Sequence, residues 1–279
     1  MYEIVAKEAL APVTKLFEVR APAVASKAKA GQFVIIRLRD EGERIPLTIA
    51  DYDRDQGTLT LVVQEVGKTT MEMGTMQVGD HMASVTGPLG VASEIERYGT
   101  VLCVGGGVGI APIYPIARDL KEAGNTVLSI IGARNQDLLF WEEKMRSVSD
   151  ELVVCTDDGS YGRKALVTIP IKEMLESGRP IDQIWAIGPA IMMKFCALTT
   201  QPFGVPTMVS LNSIMVDGTG MCGACRVEVG GQTRFVCVDG PEFDGHQVDW
   251  DQLLARQRIY PEQEKLAVEH WQHECQCGG

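Results

Sequence analysis

The chain has 279 residues, 45% of them hydrophobic and 23% charged, with a formal net charge of −11 and a pI near 4.9. That length has room for two domains and a small third, and the acidity argues against nucleic acid or an anionic membrane as a partner. No apolar run approaches the roughly eighteen residues of a membrane span. The N-terminal Met-Tyr-Glu-Ile-Val-Ala-Lys-Glu has no basic region or cleavable apolar stretch, so a cytoplasmic protein is expected.

Up to about Tyr98 the sequence is a series of short β-branched or alternating runs: Tyr2–Ala9, Val13–Ala21, Gln32–Leu38, Leu47–Tyr52, Thr58–Glu65 and His81–Thr86. Strands at this spacing, broken by Gly and Pro, predict a small antiparallel barrel. One helix is expected, over Thr70–Met76. Two stretches here are candidates for a flavin nucleotide, the alternative being a plain strand-edge arginine and a helix-capping threonine. Arg44-Ile-Pro46-Leu47-Thr48 sets a guanidinium, suited to phosphate, and a hydroxyl able to hydrogen-bond a flavin ring nitrogen on either side of a stiffening proline. Gly67-Lys68-Thr69-Thr70 follows a strand and opens the helix, where free N–H groups receive phosphate.

From Thr100 the pattern becomes α/β. Strands are expected at Val101–Val104, Thr126–Ile131, Leu152–Thr156, Gln183–Ile187 and Pro206–Leu211. Helices are expected from the glycine loop to about Ala123, then at Leu138–Val148, Ile169–Glu176 and Ala190–Thr199. This alternation predicts a Rossmann-like parallel sheet that binds ligands at the carboxyl ends of its strands. The first strand runs into Gly105-Gly106-Gly107-Val108-Gly109-Ile-Ala-Pro112, a variant of the dinucleotide fingerprint with Pro in place of the last Gly.

The last segment carries the most specific signal. Asp217-Gly-Thr-Gly-Met-Cys222-Gly-Ala-Cys225 is followed, after a gap, by Cys237. This matches the plant-type loop for a [2Fe–2S] cluster, with Asp217 standing where the first cysteine belongs. Gly218, Gly220, Gly223 and Ala224 allow the backbone to wrap a cluster closely. Zinc is the rival occupant, because Cys-x2-Cys is also half of a zinc knuckle, but no second half follows. Val238–Gly245 reads as turns and Asp251–Glu274 as helix. Cys275 and Cys277 in the tail are further thiols, and the four histidines show no metal spacing.

In this order the chain resembles the ferredoxin–NADP reductase superfamily over nearly its whole length. The resemblance rests on Gly31-Gln-Phe33, Arg44-x-Pro-x-Thr48, Gly87-Pro-Leu-Gly90, Gly105–Pro112, Gly132-Ala133-Arg134, Thr156-Asp157-Asp158-Gly-Ser160, Gly188-Pro189-x-x-Met192-Met193 and the cysteine loop. It is similar to the branch that holds the electron-transfer subunits of dihydroorotate dehydrogenase and the small subunits of NADH-dependent reduced ferredoxin:NADP+ oxidoreductase. The resemblance implies an FAD-binding β-barrel over 1–98, an NAD(P)-binding α/β domain over 99–211 and a [2Fe–2S] domain with its tail over 212–279. It implies that Arg44, Pro46, Leu47, Thr48 and Gly67 to Thr70 bind FAD, Thr48 lying near the reactive nitrogen. Gly106 to Gly109, Ala133, Arg134, Asp157, Asp158, Gly188, Pro189 and Met192 would line the NAD(H) site, and Asp217, Cys222, Cys225 and Cys237 would hold the cluster.

Four positions depart from the superfamily pattern: Ile45 and Leu47 fill its usual Arg and Tyr slots, Ile187 replaces a common cysteine, and Asp217 replaces a cluster cysteine. The last of these resembles the ferredoxin:NADP+ branch. The implied partner is a larger flavin and [4Fe–4S] subunit similar to the small chain of glutamate synthase, with ferredoxin reached through it by electron bifurcation. The alternatives are the dihydroorotate dehydrogenase subunit and, from another class, a zinc- and nucleotide-binding regulator without redox chemistry.

Overall fold

The computed structural model describes residues 2–277, with side chains as far as His273; the side chains of Cys275 and Cys277 lie outside the described residues. The first segment forms β1 (Tyr2–Ala11), β2 (Thr14–Arg20), the single turn α1 (Pro22–Ala25), β3 (Phe33–Arg37), β4 (Ile45–Asp53), β5 (Thr58–Gln64), α2 (Lys68–Thr75), β6 (His81–Met82) and β7 (Ser84–Leu89). The strands join antiparallel in the order β6-β1-β2-β5-β4-β3-β7. Since β6 and β7 are neighbours in the chain, the two ends of the sheet meet and it curls into a nearly closed barrel. That is why the strand expected over His81–Thr86 divides at Ala83, where the chain crosses from one edge to the other. Inside lie Phe17, Val19, Ile36, Ile49, Leu59, Leu61 and Met73, all but sealed from solvent.

The second segment comprises β8 (Thr100–Gly106), α3 (Ile110–Glu122), β9 (Thr126–Ala133), α4 (Glu142–Ser147), β10 (Glu151–Thr156), β11 (Arg163–Lys164), α5 (Thr168–Glu176), β12 (Gln183–Ile187), α6 (Ala190–Thr200) and β13 (Thr207–Ser210). Strand order is β11-β10-β9-β8-β12-β13, all parallel, so the winding reverses between β8 and β12. Ligands sit outside the carboxyl ends of strands at such a switch point. Two cores cover the faces of this sheet. Ile113, Ile116 and Leu120 of α3 pack on one side, and Ile171, Met193 and Cys196 of α5 and α6 on the other. α3 ends as its sequence requires: Gly124 takes φ +87, and Asn125 donates its N–H to the Leu120 carbonyl. The helix expected over Leu138–Val148 starts only at Glu142, because Trp141 adopts φ 58 and interrupts it.

The last segment holds the hairpin β14 (Arg226–Val229) and β15 (Gln232–Phe235), the turn α7 (Val236–Asp239), β16 (Glu242–Asp244), α8 (Trp250–Arg256) and α9 (Pro261–Cys277). The stretch read as turns therefore contains a strand. β16 pairs antiparallel with β13, Ser210 opposite Glu242, and so joins the parallel sheet. Three residues are too few to register a period of two in a sequence. The helix expected over Asp251–Glu274 is broken between Arg256 and Pro261.

The segments are fastened to one another. Arg118 of α3 donates to Asp51 of the barrel at 2.6 Å, and Lys144 of α4 reaches the same carboxylate at 3.3 Å. Gly218 of the cysteine loop rests on Ile35 and Leu89 of the barrel. Among the described residues no helix is long and apolar enough to cross a membrane.

Candidate functional site

The glycine loop leaves β8 and turns through Gly107 into α3. Its glycines do different things. A Cβ on Gly109 would lie 2.2 Å from the Ile187 carbonyl oxygen, one on Gly106 2.1 Å from Met192 Sδ, and one on Gly188 2.9 Å from the Gly106 carbonyl. These residues let the ends of β8 and β12 close on each other at the switch point. Gly107, at φ +54, has nothing within 4 Å of its missing Cβ and faces open space. It is the one whose backbone a ligand can approach.

Next to this loop is a cavity of about 250 Å³ shared by all three segments. The barrel contributes Phe33, Pro46, Leu47, Thr48 and the start of α2 at Thr70. The α/β segment contributes Val108, Gly109 and Gly188. Asn212, Met215 and Pro241 close it from the cysteine segment, beside Ser210 and Leu211 at the end of β13. Residues expected at a flavin and residues expected at a nicotinamide thus share one chamber, with Thr48 in its wall. Gln64, Ser210, Asn212, Met215 and Pro241 are additions that the sequence reading did not single out. Ser210 to Asn212 follow a strand end beside the switch point, a signal that could have found them; nothing in the sequence points to Pro241.

Other expected residues fall outside this chamber. Arg44 is exposed and does not line it. Lys68 and Thr69 line a separate cavity of about 420 Å³ between α2 and the loop before β4. There the Thr69 hydroxyl donates to Glu43, while Thr70 Oγ1 accepts the Gly67 N–H at 3.0 Å and so caps α2. Ala133 and Arg134 at the end of β9 are latched to the next loop, their carbonyls accepting the N–H groups of Asp157 and Asp158 at 3.1 and 3.2 Å. Partial burial and then the Asp158 charge raise the pKa of Asp157, with Arg134 opposing them. Ser160 holds Asp158 below the usual carboxylate range. Pro189 precedes α6 and follows Gly188, but does not itself line the chamber.

In the cysteine loop, Gly218, Gly220 and Gly223 all have positive φ, between 66 and 83. The Asp217 carboxylate accepts the N–H of Thr219 at 2.8 Å and of Cys222 at 2.9 Å. These bonds, the one from Thr219 foremost, lower its pKa and keep it anionic. Cys225 and Cys237 are buried with their sulfurs 3.2 Å apart. Burial, followed by the neighbouring Cys225 sulfur, raises the Cys237 pKa. Cys222 is exposed at the rim and donates to Asp217. The four expected ligands therefore stand as two pairs, and among the described residues no three metal-binding side chains already converge. The residues fit an iron–sulfur group: two thiols that need a positive centre to ionise, a fixed carboxylate, and a loop of small residues able to wrap them.

Comparison with known proteins finds a family match within each of the three segments. Residues 1–93 match the oxidoreductase FAD-binding domain, residues 103–197 the oxidoreductase NAD-binding domain, and residues 212–249 the iron–sulfur cluster binding domain of dihydroorotate dehydrogenase B. A Thermotoga maritima protein named dihydroorotate dehydrogenase B (NAD+), electron transfer subunit homolog, is 54% identical over 96% of this chain and 95% of its own. The electron transfer subunit of the Geobacillus thermodenitrificans enzyme is 35% identical over 81% of this chain and 88% of its own. A chain in the structure of NADH-dependent reduced ferredoxin–NADP oxidoreductase, studied for flavin-based electron bifurcation, superposes with a TM-score of 0.92 at 53% identity, covering 97% of this chain and 98% of that one. The chain belongs to this family of electron-transfer subunits, with FAD-binding, NAD-binding and iron–sulfur cluster binding domains joined around one chamber.

Proposed function

We propose that the chain carries electrons from NADH through FAD to a [2Fe–2S] cluster and on to a larger flavin and [4Fe–4S] subunit, as part of a bifurcating ferredoxin:NADP+ transhydrogenase in the cytoplasm. The observation that carries this reading is the shared chamber, in which Thr48 and Leu47 of the barrel face Val108 and Gly109 of the glycine loop, with Met215 two residues from Asp217. FAD, when bound, accepts a hydride and releases electrons one at a time. The protein's part is placement. Thr48 offers a hydroxyl to the flavin ring, the open backbone at Gly107 receives the nucleotide phosphates, and Phe33, Leu211 and Met215 keep water from the ring. Asp217, Cys222, Cys225 and Cys237 hold the cluster. We set the domain boundaries at 98/99 and 211/212; the barrel sheet ends at Leu89 and the parallel sheet begins at Thr100, which supports the first.

The isolated chain is expected to oxidise NADH with dyes but not to couple ferredoxin to NADP+. Adding the partner should restore that coupling, and cluster-loop variants should lose it while keeping dye reduction. Full coupled activity from the chain alone would overturn this reading. The dihydroorotate dehydrogenase relatives supply the other candidate partner, and dihydroorotate oxidation with that partner instead would favour them.

The nucleotide is NADH. A 2′-phosphate needs cationic contacts, and Arg134 at the end of β9 is opposed by Asp157 and Asp158 across the latch. Steady-state kcat/KM should favour NADH over NADPH by about tenfold or more, ~1.4 kcal/mol. Asp157→Asn should narrow that preference, and an equal or inverted preference in the native chain would refute the assignment.

A further inference from the structure

Between the central chamber and a second cavity stands a carboxylate that the relay described above does not use. Glu242 follows Pro241 on β16 and lies opposite Ser210, and both of these neighbours line the chamber. Its carboxylate accepts the Ser93 hydroxyl at one oxygen and the Trp185 indole N–H, at 3.1 Å, at the other. Ser93 in turn lines a cavity of about 640 Å³ between the barrel and α3, whose rim carries the exposed Lys29, Arg54 and Glu122. Gly31 takes φ +81 beside the pair, and a Cβ there would lie 2.2 Å from Ser93 Oγ and 2.9 Å from Glu242 Oε1. The carboxylate thus sits half-buried where barrel, linker, parallel sheet and cysteine segment meet.

No cation faces it. The groups around it are Ser93 and Tyr98 of the linker, Cys103 of β8 and Trp185 of β12, and its charge is felt by Tyr98 and Cys103. Burial, the leading influence, raises its pKa above the ordinary glutamate value, and its two hydrogen bonds pull it partly back. A carboxyl whose pKa is raised on folding binds more protons folded than unfolded. Its contribution to stability is complete below the unfolded pKa and is lost as pH rises through the folded one. Glutamine would accept the Trp185 N–H at its oxygen and donate from its nitrogen to Ser93 Oγ, without that cost. An ionisable group that weakens the fold where an amide would serve points to function.

We propose that Glu242 is the proton-linked site of the relay, taking a proton from solvent through the Ser93 cavity when electrons arrive at the neighbouring cofactors and returning it when they leave. Each cycle forms and then breaks one O–H bond on the carboxylate, with water as the source and the sink, and the residue itself is neither oxidised nor reduced. Linkage makes the effect reciprocal: ionised Glu242 disfavours the arrival of electrons, and their arrival favours its protonation.

This inference rests on the relay proposed above. The test is redox titration of the flavin and the cluster in the purified holo-chain across a range of pH, paired with thermal unfolding. The native protein should show a break in the slope of potential against pH at the Glu242 pKa. Glu242→Gln should lose that break and should raise Tm on the alkaline side but not on the acid side. Ser93→Ala, which keeps the carboxylate but removes a bond that lowers its pKa, should move the break to higher pH, and it serves as the test if Glu242→Gln does not retain flavin. An unchanged break in Glu242→Gln, or an unshifted one in Ser93→Ala, would overturn the proposal. A chain with neither flavin nor cluster would instead overturn the relay itself.

Discussion

Cys237→Ala is expected to purify with its flavin but without iron. Cys237 shares its buried site with Cys225 at 3.2 Å, so its loss leaves one buried thiol and two rim groups, too few to hold a cluster. The visible spectrum should keep the flavin bands and lose the broad cluster absorption, and the EPR signal of the reduced protein should vanish. Asp217→Ala tests the unusual ligand in the same way. Asp217 is held anionic by the N–H groups of Thr219 and Cys222, so its replacement removes the proposed ligand and loosens the turn that presents Cys222. The expected result is a destabilised or absent cluster, while Asp217→Cys should retain one with a shifted potential. If Asp217→Ala kept its EPR spectrum while Cys275→Ala or Cys277→Ala lost it, the tail would be the source of the fourth ligand.

Gly109→Ala should be the most damaging single-methyl change at the chamber. The added carbon would lie 2.2 Å from the Ile187 carbonyl oxygen, 2.6 Å from its carbon and 2.7 Å from Gly188 Cα. All three are backbone atoms and none can rotate away, so β8 and β12 must part at their carboxyl ends. Overpacking of this kind costs about 1–3 kcal/mol. A shift of the loop should also raise KM for NADH by about tenfold or more, since a displacement of roughly 1 Å disrupts a reacting geometry. Gly107→Ala is the contrast. It meets no atom within 4 Å but must hold φ +54, a strain of ~1 kcal/mol. Thermal unfolding and NADH kinetics of the two variants should differ in that order; equal effects would mean that the close approach of the two loops is unimportant.

What the sequence made legible divides along physical lines. The glycine loop, the ends of β9 and β12 and the cysteine loop could be read because their backbones need special residues in fixed order, and such needs are local. The α/β alternation could be read because each strand there is a short apolar run closed by a turn. Arg44 is different. It precedes the family's Arg slot by one residue, and it stands exposed, outside the chamber. β16 was hidden because its partner, β13, lies more than thirty residues earlier in the chain. The junction at Glu242 was hidden for the same reason, since Gly31, Ser93, Trp185 and Glu242 meet only after three segments have folded.

The addition of β16 to the parallel sheet governs how this chain can be shortened. A flavin reductase cut out at the end of β13 would expose the backbone N–H and C=O groups of Met208–Ser210 that now pair with Glu242–Asp244. An open strand edge next to an apolar core is a template for pairing between molecules. The cysteine segment therefore also works as a lid on that edge, and a truncated protein should aggregate even with an intact flavin site. A soluble cluster-free version is better sought by replacing Cys222, Cys225 and Cys237 within the full chain.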